Sequence, residues 1–142
     1  MTPAARLSAA MSILDEWRGG RPVEQALTRW ARGARYAGSK DRAAVRDVVF
    51  DALRQMGSAA LAGGGDDGRA LVLGLSRLRG EDPEALFTGE GHAPERLSDA
   101  ERTLVASPLP PPDPERDVPG WLRAEIGARA PDAASRAALT NR

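Results

Sequence analysis

Six cations and the chain's one tyrosine fall between positions 29 and 46: Arg29, Arg32, Arg35, Tyr36, Lys40, Arg42 and Arg46. A single acid, Asp41, stands among them. Guanidinium and ammonium groups at this density suit a polyanion, and nucleic acid is the commonest large one. Such groups meet phosphates, which position a nucleic acid without reading its sequence. A tyrosine in their midst is the residue type that stacks on the unpaired bases of single strands. A hinge tyrosine packed between two helices would explain Tyr36 equally well, and ordinary solvated helix faces would explain the cations.

Other chemistry is poorly supplied. There is no cysteine, which removes disulfides, thiolate metal sites and cysteine nucleophiles together. His92 is the only histidine and lies in a Gly-His-Ala-Pro stretch, so a convergent metal site lacks its usual partners. Asp66/Asp67 and Glu81/Asp82 are sequence neighbours, whereas acid–base work needs carboxylates held across a cleft; capping and turn formation explain them. Gly63, Gly65 and Gly68 match G-x-G-x-x-G, but a helix precedes them and two aspartates sit inside, the wrong setting for a phosphate cradle.

The elements that carry the cationic stretch are helical. Thr2-Pro3 reads as a cap and first helical residue, opening a helix to about Arg18 with Leu7, Met11, Leu14 and Trp17 on one stripe. Gly19-Gly20 ends it. Pro22 opens a second helix with Val23, Ala26, Leu27, Trp30 and Ala31 on one face, and Trp17 and Trp30 are expected in the core. The segment 33–38 breaks the pattern, and Ser39 is the expected cap of a third helix, with Asp41 favourably placed in its first turn. Val45, Val48, Val49, Ala52, Leu53 and Met56 form an uninterrupted stripe along that helix. Asp51 is spaced to pair with Arg54.

A glycine-rich loop at 63–68 precedes a fourth helix near 67–79, with Leu71, Leu75 and Leu78 inward. A short turn from Asp82-Pro83 is expected to bury Leu86 and Phe87. Ser98 and Glu101 form a capping box, which opens a fifth helix to about Ala106. Six of the thirteen residues from Ser107 to Pro119 are proline, the composition of an extended connector. A helical segment carrying Trp121, Leu122 and Ile126 follows. No stretch alternates as a strand would. The expectation is an all-α bundle of five or six short helices: a domain over 1–106, a Pro-rich linker over 107–119 and a helical tail over 120–142.

The net charge is zero but unevenly spread. Residues 1–60 hold ten Lys/Arg against six Asp/Glu, a net of +4, and residues 61–142 hold ten against fourteen, a net of −4. One basic face on a neutral whole is enough to steer a polyanion. No apolar run reaches the roughly 20 residues of a membrane span, and no leader pattern opens the chain; cytoplasm is the expected location.

The stretch RYAGSKDRAAVRDVVFDALR resembles the NusB-like N-terminal domain of bacterial Nol/Nop/Sun-type RNA cytosine-C5 methyltransferases. The likeness rests on Arg35-Tyr36, the Ala37-Gly38 turn, Ser39-Lys40-Asp41-Arg42 and the helix from Val48 to Arg54. Gly20-Arg21-Pro22 before a helix with Trp30, Leu97-Ser98 with Glu101, and Pro119 with Trp121-Leu122 extend it in the same order. The resemblance implies a NusB-like fold and an RNA-binding accessory domain of an rRNA methyltransferase. Its partners would be RNA, ribosomal in the family's manner, and a protein or the methyltransferase domain itself. Members of the family carry a following SAM-binding domain with two functional cysteines. This chain contains no cysteine and reaches Arg142 near where that domain is expected, so SAM is expected in a domain outside it and no catalytic residue within it. A NusB-like module for protein interaction or transcription antitermination, without catalytic role, is the alternative. Exposed Trp121, Leu122 and Ile126 would favour self-association.

Overall fold

The computed structural model describes residues 1–111 and 114–117. Among them the chain forms seven α-helices and no strand: α1 Pro3–Arg18, α2 Val23–Gly33, α3 Ser39–Arg54, α4 Met56–Gly63, α5 Gly68–Leu78, α6 Pro83–Leu86 and α7 Asp99–Ala106. A 3₁₀ turn spans Pro114–Asp117. The expected helical tail with Trp121, Leu122 and Ile126 lies outside the described residues.

Helix ends follow local chemistry closely. Thr2 Oγ1 accepts from the Ala5 amide at 3.1 Å, with Pro3 in the first turn. Ser98 and Glu101 exchange both bonds of a capping box, at 3.1 and 2.8 Å. Asp82 caps α6 by accepting from the Glu84 amide. Ser39 is not the cap that its position suggested: it is the first residue of α3, and Gly38 is the cap. Asp41 Oδ2 accepts from the Gly38 amide, so the acid reaches back where a serine hydroxyl was expected to reach forward. The same carboxylate accepts from Arg6 Nε and Nη2 at 3.1 and 2.8 Å, which fastens α1 to the start of α3. Arg6 above all, and then the Gly38 amide, hold the Asp41 carboxyl below its ordinary range.

The uninterrupted stripe from Val45 to Met56 is also broken. It ends at Arg54, and Gln55 separates α3 from α4. Breaking there turns α4 onto α5 while Met56 still packs against the core. α4 is small-residue apart from Met56 and Leu61, and its backbone lies directly on that of α5. A methyl group at Gly63 would overlap the Ala70 carbonyl, and one at Gly74 would overlap the Ala59 carbonyl.

α5 is the centre of the molecule, with Gly68 and every residue from Ala70 to Arg77 buried. More than the expected leucine face is covered, because α1, α3, α4 and α6 all pack around it; a helix enclosed in this way is apolar nearly all round. Its N-terminus is doubly capped: Asp15 of α1 accepts from the Gly68 amide at 2.7 Å, and Asp67 accepts from Ala70 at 2.8 Å. The α1 side of the core is Leu7 and Leu14, as expected, with Ala10 and Ile13, while Met11 and Trp17 are only half-buried. Trp30 is likewise half-buried against the core's edge, and Phe87 is fully enclosed as expected.

Arginine side chains tie the last elements down. Arg69 makes a two-pronged bond to Glu101, at 2.8 Å on both arms, and donates to the Glu95 and Arg96 carbonyls. Buried Arg77 donates to the carbonyls of Ala62 and Ser107, both at 2.6 Å. In the Pro-rich stretch, Asp117 accepts from the Ser58 amide and hydroxyl, at 2.6 and 2.9 Å, and so caps the first turn of α4.

Gly74→Ala is expected to cost about 1–3 kcal/mol by forcing α4 from α5, read as a lower thermal midpoint in circular dichroism. Gly33→Ala, where a methyl group meets open space, should not lower it. The Arg69 bond, first, and the Ser98 amide hold the Glu101 carboxyl below the ordinary 4.5. A carboxyl lowered on folding gives its full stabilisation above the unfolded value and loses it as pH falls through the folded one. Glu101→Gln should therefore destabilise at neutral pH by under about 1 kcal/mol, its partial exposure screening the pair. The gap from the parent should close in acid below 4.5.

Candidate nucleic-acid interface

The cationic stretch spans the end of α2, the connection at residues 34–38 and the first half of α3. All seven expected residues, Arg29, Arg32, Arg35, Tyr36, Lys40, Arg42 and Arg46, are exposed. The connection has an inward and an outward side. Ala34 and Ala37 are buried, at 3% and 4% exposure, while Arg35 and Tyr36 between them stand outward. The Ala37 amide donates to the Ala34 carbonyl at 3.0 Å, and Ala34 itself closes α2 on the Trp30 carbonyl. Arg42 Nη1 then donates to the Ala37 carbonyl at 3.0 Å, pinning the turn from the α3 side. These bonds leave the positive charge of Arg42 uncancelled, since its acceptor is neutral.

The six cations are not equivalent. Arg46 grips Glu24 of α2 with both terminal nitrogens and lies over the Phe50 ring, 4.8 Å from its centroid. Glu24 is correspondingly held below its ordinary range, first by that bond, and Arg46 above its own. Arg29 faces Glu16 of α1 at 3.8 Å. Arg32, Arg35 and Lys40 make no ion pair among the described residues, so the uncommitted charge is concentrated around the 34–38 connection.

α2 rests on α1, and α3 on α1 and α5, with little contact between α2 and α3. A shallow groove of about 250 Å³ lies between them, lined by Leu27, Thr28, Trp30 and Ala31 on one side and Arg42, Ala43 and Arg46 on the other. The Glu24–Arg46 pair bridges it. Neither partner could be matched from sequence, because they lie on separate helices and their meeting depends on how both sit on α1.

His92 is the second residue that spacing could not connect to the site. It is exposed, as a loop histidine should be, but its ring stacks on Tyr36 with centroids 5.8 Å apart and planes 6° from parallel. Tyr36 is therefore no hinge between helices; it remains 61% exposed. The glycine-rich loop behaves as its acids suggested. Asp67 caps α5, Asp66 meets Arg18 at 3.0 Å, and Asp15 occupies the Gly68 amide that a phosphate would need. Among the described residues no group of three or more His, Asp or Glu could hold a metal, and no helix is long and apolar enough to cross a membrane.

No family model, curated protein or solved structure matches the chain.

Glu24→Gln should release Arg46 for phosphate contact. The slope of log affinity for oligouridylate against log salt is then expected to steepen by about 0.7, one further contact on a single strand. An unchanged slope, measured by fluorescence anisotropy, would show that Arg46 stays outside the interface.

Proposed function

We propose that this chain is an RNA-binding helical domain that positions its RNA through the α2–α3 face, as a NusB-like accessory domain of an rRNA cytosine-C5 methyltransferase would. The observation that carries the reading is the set Arg32, Arg35 and Lys40: three exposed cations around one pinned connection, with no carboxylate on them among the described residues. Among the described residues outside this stretch every arginine but Arg96 has a partner, whereas these three lack one and suit a partner from outside. Arg42 adds a fourth positive charge on the same connection.

In this reading the domain grips phosphates and supplies no chemistry of its own. Methyl transfer, with SAM as donor, would belong to a separate catalytic domain. The substrate would be ribosomal RNA, and the location the cytoplasm. A protein-interaction module of the antitermination type is the second reading, and exposed Leu61 and Leu109 favour it. Both lie near the Arg77 bridge, which brings Ser107 to the end of α4.

The two readings separate by salt. RNA affinity should fall steeply between low and physiological salt, because each phosphate contact on a single strand adds about 0.7 to the slope. Changing Arg32, Arg35 and Lys40 together to Glu should flatten that slope by about 2 and leave helix content unchanged. A salt-independent affinity, or one indifferent to the triple change, favours the protein-interaction reading.

A further inference from the structure

We infer that the open face of Tyr36, backed by His92, is a stacking site for one unpaired base, so that the RNA taken at this face is single-stranded. The inference rests on the RNA-binding reading and adds to it a ligand class, a contact point and a second residue.

Large aromatic rings are normally buried or half-buried, yet Tyr36 stands 61% exposed on a connection whose neighbours Ala34 and Ala37 are fully packed. One ring face meets His92, so the exposure that remains includes the other. A free tyrosine would sample many rotamers and lose that freedom on binding. Here the parallel histidine already restrains the ring, which lowers the ordering cost of a second stack.

The histidine is itself held. Its loop closes on the Gly89 amide donating to the Pro94 carbonyl at 2.8 Å and the Ala93 amide to Glu90 at 2.9 Å. Pro94 and Leu97 are buried, and Arg69 holds the Glu95 and Arg96 carbonyls. A loop anchored at both ends and a turn pinned by Arg42 thus present one two-ring stack, with Arg35 adjacent in the chain and Lys40 four residues on. A base laid on Tyr36 extends the pile by one ring, while its flanking phosphates meet those cations. Bases within a duplex are stacked on each other and cannot offer a face, so the geometry selects an unpaired one.

The test measures affinity of the full chain for three probes at one salt concentration: a 12-residue oligouridylate, the same strand paired to oligoadenylate, and an abasic strand of equal charge. The parent should prefer the single strand over both others. Tyr36→Ala should lower oligouridylate affinity about five- to hundredfold and leave the abasic strand unchanged, the range alanine substitution gives for a base–aromatic stack. Tyr36→Phe should retain affinity, since stacking needs the ring and not the hydroxyl, and His92→Ala should show a smaller loss than Tyr36→Ala. If Tyr36→Ala binds oligouridylate as the parent does while the Arg32, Arg35 and Lys40 triple change does not, the stacking site is overturned and the cationic interface stands. If the parent binds none of the probes, the RNA-binding reading falls and takes this inference with it.

Discussion

The bare contact between α4 and α5 is the constraint on which the rest of the structure depends. Two glycines, Gly63 and Gly74, let backbone meet backbone, each facing a carbonyl of the other helix. That closeness brings the end of α4 within reach of Arg77 on α5. A buried guanidinium is costly unless its hydrogen bonds are met. Arg77 meets them on the carbonyls of Ala62, near the end of α4, and Ser107, just past the end of α7. Both acceptors sit where a helix dipole is negative, so the ends of two helices stand in for a carboxylate. Had either glycine carried a side chain, α4 would stand off and Arg77 would lose one of its two acceptors.

From α5 the same logic runs outward. Asp15 and Asp67 satisfy its amide end, which fixes α1 against it. α1 in turn carries α2 and α3, and Arg6–Asp41 sets where α3 begins. The 34–38 connection is thus the last member of a chain of packed and capped helices. Its outward residues have no part of the core left to pack on, and Tyr36 meets only the exposed His92 ring. Arg35 and Tyr36 are exposed because Ala34 and Ala37 beside them have already taken the only inward positions, and this makes a rigid surface from a short loop.

What could be read from the sequence divides along the range of the interactions involved. The caps at Thr2, Asp82 and Ser98 and the extents of α1, α2 and α7 follow from residues two to four apart, and these agree with the structure. So does the Asp51–Arg54 pair, although Asp51 also meets Arg79, just past the end of α5. The break at Gln55 was hidden because the apolar stripe runs through it unchanged; the turn answers to α5, twenty residues on. At Gly38 two caps competed, and the carboxylate of Asp41, already fixed by Arg6, prevailed over the Ser39 hydroxyl. The basic stretch was visible as composition. Its division into paired and unpaired cations was not, since Glu16 and Glu24 reach it only through the packing of α1 and α2.

That division decides what the charge on this face is worth. Counting Lys and Arg between positions 29 and 46 treats six groups alike, yet Arg46 is locked to Glu24 and Arg29 lies near Glu16. An anion approaching Arg46 must displace a carboxylate that is fully ionised at neutral pH, whereas one approaching Arg35 or Lys40 displaces only water and counterions. The effective positive field is therefore narrower than the sequence implies and is centred on the 34–38 connection. Tyr36 and His92 stand at that centre. Phosphate attraction and base stacking differ in range, one long and salt-screened, the other short and indifferent to salt. In the proposed reading both would act at the same few residues, so that the long-range term would bring a strand to the face on which the short-range term acts.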